Sequence, residues 1–264
     1  MSEHLDVRAL ADGERAALRR LILGLADSKR IMGIRYSDWL LGAPSIETGI
    51  AASSMSQDEW GHARLLYAML KDLGDDPVAV EHERPDEAYA SLDALDEGFP
   101  DWAAVVAGMV IVDGALTVSL NAFSRGSFEP ATTRVPKMLG EEEFHASLGS
   151  AWYRRLATSA SNEATGLLRR ATEAMLPTTL AWLGVEDAAA RTLVDLGVTD
   201  RGSQLVAAFR DRVRGDVAQA GVDVDAQAAA TRGWDEGRGR GPGHPDADAA
   251  ERARGDRNRM LFVE

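Results

Sequence analysis

The sequence predicts an all-helical bundle. Three observations carry that expectation. Apolar residues recur at helical spacing along several long stretches, residues 101–124 are apolar nearly all round, and no convincing alternating strand pattern occurs.

Residues 12–40 read as a first long helix, with Leu18, Leu21, Ile22, Leu25, Ile31, Met32 and Trp39 at helix-like intervals. The stretch 41–49 breaks it, and Pro44-Ser45 is a start signal for a second helix over 46–73 that stops at Gly74. Residues 75–100 are polar and carry Pro85 and Pro100, which reads as a long connection with at most a short helix, the kind that carries a chain from one helix pair of a bundle to the other. The apolar stretch 101–124 belongs at a bundle centre, and 130–158 forms a fourth core helix interrupted or preceded by Pro136. Further helices are expected at about 161–182, 186–196 and 201–219. From about Ala220 the chain turns rich in Gly, Arg and Asp. The expected organisation is therefore a helical domain over 1–220 and a flexible or partner-dependent polar tail over 221–264, ending in the apolar run Met260 to Glu264 that could dock.

Composition narrows the function classes. The chain has 264 residues, enough for a sizeable core, and a formal net charge of -13. That charge disfavours a nucleic-acid partner or an anionic membrane surface. Cysteine is absent, which rules out disulfides, thiolate nucleophiles and iron–sulfur ligation by this chain and fits a cytoplasmic location. The first residues are charged throughout, without the apolar core of a leader, and no run of about 18 apolar residues is expected to span a bilayer.

The chemistry lies in an echo between the second and fourth long helices. One contains Glu59 and His62, the other Glu142 and His145, each a Glu-x-x-His pair. Residues three apart share a helix face, so the carboxylate and imidazole of each pair can reach one metal ion. Two such helices facing inward are the half-sites of a carboxylate-bridged dimetal centre in a ferritin-like four-helix bundle, here with additional C-terminal helices. Oxygen and nitrogen ligands without thiolate suit iron or manganese. Either motif alone is more simply a solvated helix face; two on separate long helices are more telling. Asp113, inside the apolar stretch, is a fifth candidate, since a carboxylate there is costly unless paired with an arginine, with backbone donors or with a metal. His4, His82 and His244 lie in polar or terminal segments and read as solvated. Trp39, Trp60, Trp102, Trp152 and Trp182 read as core or interface anchors, and Ser53, Ser54 and Ser56 as a close-packing patch.

These residues resemble the A and C subunits of bacterial phenylacetyl-CoA epoxidase, over roughly residues 15–160. Trp39, Ala43-Pro44, Gln57-Asp58-Glu59, Gly61-His62, Val112-Asp113-Gly114-Ala115, Glu141-Glu142 and Phe144-His145 are similar to the catalytic A subunit. Residues 26–33, 37–39 and Gly61-His62-Ala63-Arg64 look more like the structural C subunit, as does, faintly, the Gly-Arg-rich stretch 237–244. The resemblance implies that Glu59, His62, Asp113, Glu142 and His145 are metal ligands of a dinuclear iron centre, or of a manganese–iron pair. It also implies an acyl-CoA substrate such as phenylacetyl-CoA, an external reductase and a homologous partner subunit, homo- or heterodimeric. No dinucleotide-binding glycine pattern occurs in the chain, so electrons must come from a partner.

One departure stands out. Counting back from Glu59 without gaps puts Lys29 where the catalytic subunit has its first-helix glutamate ligand. A protonated lysine cannot bind metal. Asp27 points to another face, and Glu47 lies 12 residues before Glu59, roughly 18 Å along the helix axis. Lys29 either deprotonates and ligates, or pairs with the site carboxylates, or the register of the first helix differs. Three functions are open: a di-iron oxygenase component, which the residues favour; a catalytically degenerate structural subunit of such an oxygenase; and a metal-storing bundle without an organic substrate.

Overall fold

The computed structural model describes residues 4–256 and Leu261. Among them the chain is all-α and of the ferritin-like class, with nine α-helices and no strand beyond one isolated bridge between Asp235 and Arg240. The chain divides into two compact units, one formed by Val7–Gly98 with the segment from Trp234 onward, the other by Phe99–Gly233 with the N-terminal residues up to Asp6.

In the first unit, α1 (Asp12–Ser37) and α2 (Ile46–Met69) are the long pair. The Ala11 amide donates to Glu14 Oε2 at 2.8 Å, which satisfies one orphan donor at the start of α1. Ser45 caps α2, accepting from the Thr48 amide at 3.2 Å, as the Pro44-Ser45 signal suggested. The pair is antiparallel: Asp27 meets Tyr67 and Lys29 meets Glu59, so partners move down one helix as they move up the other. Gly33 permits a close approach, because a Cβ there would sit 2.5 Å from Trp60 Nε1 and 3.1 Å from Glu59 Cβ. After α2 a 3-10 turn (Leu70–Leu73) ends at Gly74, whose φ of 94° reverses the chain. The connection then holds a short helix α3 (Pro77–His82) and two 3-10 turns.

Asp27 is fully buried yet well supplied with donors. Tyr67 Oη donates to it at 2.5 Å, the Ala90 amide at 2.7 Å, and Arg84 through both terminal nitrogens. Burial, followed by the Asp27 charge, pushes the Tyr67 phenol well above its ordinary value, and the same causes push Tyr89 up to about 12.

The segment from 221 onward departs from the expected flexible tail. Its part from 234 to 256 is anchored within the first unit, because its arginines find acids and carbonyls there. Arg240 is fully buried and donates to Asp96, to Asp93 at 3.3 Å and to Ser91 at 3.3 Å. The Asp246 amide donates to the Asp96 carbonyl at 2.8 Å, while Asp246 caps α9 (Ala247–Arg254) and pairs with Arg35 at 2.5 Å. Composition read as disorder because it counts polar residues and cannot count their partners. The run Met260 to Glu264 falls outside the described residues except for Leu261, which is exposed.

In the second unit, α4 (Trp102–Ser124) packs against α5 (Glu129–Ala157), α6 (Asn162–Gly184) and α8 (Gly202–Gln219), with α7 (Ala188–Asp195) between the last two in sequence. Asp101 caps α4, accepting from the Ala104 amide at 2.8 Å. The α4–α5 pair is antiparallel, since Trp102 meets Trp152 and Asp113 meets His145. A Cβ on Gly149 would lie 3.0 Å from Met109 Cβ, so the glycine permits this close contact. Contrary to the expectation that no apolar run reaches span length, an 18-residue window of α4 has a mean hydropathy of 2.0, and 89% of it is buried within the protein. Scattered Gly, Ser and Asp hid that run from a count of consecutive apolar residues. Pro136 does not interrupt α5: it is exposed on the helix surface, so water can satisfy the carbonyl one turn back.

Candidate metal centre

The two Glu-x-x-His motifs lie on α2 and α5, inside long helices of different units. On α2, Glu59 and His62 are 0% and 1% exposed. Glu59 faces α1, where Lys29 Nζ donates to its Oε1 at 2.9 Å; Lys29 is also 0% exposed. The first-helix position that sequence comparison singled out is thus a buried ion pair, in line with the carboxylate-pairing alternative for Lys29. The close packing at Gly33 holds the Glu59 backbone against α1.

On the α4–α5 pair, Asp113, Glu142 and His145 are all buried and each offers a ligand atom within 4.8 Å of the others. His145 Nδ1 lies 3.1 Å from Asp113 Oδ2 and 3.9 Å from Glu142 Oε2. Nδ1 is thus the ring nitrogen that faces both carboxylates: protonated, it donates to Asp113, and with the proton on Nε2 its lone pair faces them. Thr117, which the sequence reading missed, completes the arrangement. Its Oγ1 lies 2.8 Å from the Asp113 carbonyl and 3.1 Å from Glu142 Oε2. The available signal was position: Thr117 is four residues after Asp113 and shares its helix face.

The donor set of this second unit fits a divalent ion. Two carboxylates and one imidazole, buried together, form a hard, negatively charged cluster whose burial is costly without a cation or proton nearby. On α2, Glu59 carries an ammonium on one oxygen.

Comparison with known proteins shows the family. The family described as phenylacetic acid catabolic protein matches residues 1–252. The chain belongs to that family. It is also similar to the A subunit of the 1,2-phenylacetyl-CoA epoxidase of Escherichia coli (strain K12), with 26% identity over 140 residues. The match covers 53% of this chain and 45% of that protein, so the chain spans less than half the length of this relative.

Proposed function

We propose that this chain is the metal-dependent oxygenase component of a multicomponent epoxidase acting on an aromatic acyl-CoA such as phenylacetyl-CoA, in the cytoplasm. The observation that carries the reading is the buried Asp113–Glu142–His145 cluster in a member of the phenylacetic acid catabolic family. Those three residues are the proposed ligands of the first ion. Glu59 and His62 are the candidates for the second half of a dinuclear iron, or manganese–iron, centre. A redox-active metal bound there supplies activation of O₂ for transfer of one oxygen atom to the substrate.

The chain's own residues prepare that chemistry. Asp113 orients the His145 ring with Nδ1 toward the two carboxylates, so that Nδ1 is the nitrogen that would meet an ion they hold. Thr117 holds either the Asp113 carbonyl or Glu142 Oε2 through its single hydroxyl proton. Asp113 is itself 2% exposed, on a helix whose Met109, Val112 and Leu116 are buried, so little water reaches its carboxylate. Electrons come from a separate reductase. A homologous subunit is the proposed partner, supported by Leu41, Ile46 and Ile50, which expose 102%, 80% and 66% of their surface around the α1–α2 turn.

The test is turnover of phenylacetyl-CoA by iron-loaded protein with O₂, a reductase and the homologous subunit. The expected result is a product heavier by a single oxygen atom, detected by mass spectrometry. Turnover that survives Asp113→Asn with Glu142→Gln would remove this chain from the chemistry and leave a structural subunit.

A further inference from the structure

A short helix stays folded in water only while something holds it. The side chains that α9 buries are Ala249, Ala250 and Ala253, so the apolar area it takes from water is small. Polar contacts add to that hold. Arg252 donates to Asp38 at 2.6 Å and to Ser37 Oγ at 2.9 Å. Arg30 donates to the Ala253 carbonyl at 3.1 and 2.7 Å. Arg254 pairs with Asp86, and His82 Nδ1 donates to the Arg254 carbonyl at 2.9 Å. Salt can reach these ion pairs: Arg252 and Asp38 keep 31% and 30% of their side-chain surface in water, Arg254 and Asp86 18% and 26%. The chain just before α9 is held differently. Arg240 is fully buried against Asp96, Asp93 and Ser91, and the Asp246 amide donates to the Asp96 carbonyl at 2.8 Å.

α9 also closes a cavity. Its Arg252 lines a space of about 280 Å³ together with Arg30, Ile34 and Ser37 of α1 and Trp60 of α2. We propose that α9 is a lid over this cavity: it docks as a helix largely through charge, opens as a unit about the pinned Asp246, and leaves α1 and α2 folded. A segment with few buried apolar contacts and solvent-reachable pairs belongs to the low-stability end of a fold, and so opens before the rest of its unit. Opening unwinds α9, withdraws Arg252, and turns the cavity into an open face of the α1–α2 pair that carries Arg30, Ser37 and Trp60. Ionic strength sets how often the lid is open, because the screened pairs lie on α9 and the buried guanidinium of Arg240 lies outside it.

The chain has no cysteine, so Ser37→Cys places a single thiol in the cavity wall. The full-length variant is treated with a bulky maleimide, and its rate is compared with that of a cysteine peptide at each salt concentration. The relative rate should rise roughly fivefold between about 0.05 M and about 1 M NaCl. Adding Arg254→Ala, which removes the Asp86 pair and leaves Ser37 and Arg252 untouched, should produce a similar rise at low salt. Because Ser37→Cys itself alters one contact of Arg252, hydrogen exchange of the unmodified chain gives an independent readout by mass spectrometry. The amides of 250–255 should exchange several-fold faster at high salt, while those of α1 keep their protection. Three results would overturn the inference: alkylation indifferent to both NaCl and Arg254, amides of 250–255 that exchange only together with those of α1, or amides of 250–255 with no protection at low salt. The second would show that α9 leaves only when its whole unit unfolds, and the third that it does not dock.

Discussion

Replacing Lys29 by methionine in the metal-free protein tests how the α1–α2 pair is held together. The substitution keeps an unbranched side chain of similar length and removes only the ammonium. At 2.9 Å, the gross attraction of Lys29 and Glu59 is about 6 kcal/mol with an effective dielectric constant of about 20. Both groups have paid the cost of leaving water, so the pair's net value is much smaller. Removing one partner leaves a buried carboxylate without its ammonium, and costs about 3–5 kcal/mol. For a chain of this size, the melting temperature should fall by roughly 6–20 °C. The double variant Lys29→Met/Glu59→Met removes both charges and should lie within about 1 kcal/mol of the unmodified protein. Urea unfolding and thermal melts of the three proteins measure the coupling directly. If the single and double variants lose the same stability, or Lys29→Met loses less than about 1 kcal/mol, the ion pair is not a buried structural interaction and the reasoning from it fails.

Three further outcomes are expected. Gly33→Ala puts a Cβ 2.5 Å from Trp60 Nε1, and should cost about 1–3 kcal/mol of overpacking with a shift in tryptophan fluorescence; unchanged stability and emission would contradict the close approach. Stability should hold up to about pH 10 and fall as pH rises toward 12, because burial raises the phenols of Tyr89 and Tyr153 to about 12 and that of Tyr67 well above its ordinary value, while unfolded tyrosines release their protons near 10.0. The folded chain then binds more protons than the unfolded one, so the slope is negative, and denaturation curves showing rising stability across that window would refute it. Arg240→Ala removes a fully buried guanidinium from Asp96, Asp93 and Ser91 and should cost about 3 kcal/mol; limited proteolysis should then cut within 234–246 in the variant and not in the unmodified protein.

Helix periodicity made α1, α2, α4, α5, α6, α7 and α8 legible, since each keeps an apolar face at helical spacing and most begin at a capping Ser or Asp. α9 was not legible: it is eight residues long, its buried positions are alanines, and it sits in a stretch whose composition resembles disorder. The candidate site was legible in part for the same reason. Glu and His three apart on one helix announce a shared face, and Asp113 announces itself by standing in apolar surroundings. Thr117 and the partners of Arg240 did not, because nothing local marks a threonine or an arginine whose role depends on a residue 25 or 144 positions away.

The sequence by itself determined which stretches become helices and which residue types could hold a metal, because those properties follow from spacing along a helix and from side-chain chemistry; that Lys29 stands where a carboxylate was expected is what the family resemblance implied. Tertiary structure decided the rest. Whether Lys29 meets an acid depends on the register of α1 against α2, set by packing at Gly33 and Trp60. Whether Asp113 is a stranded charge or part of a cluster depends on which turn of α5 lies opposite α4, set at Gly149 and Trp152. Register between helices is a property of two surfaces in contact, and a single helix's sequence specifies only its own.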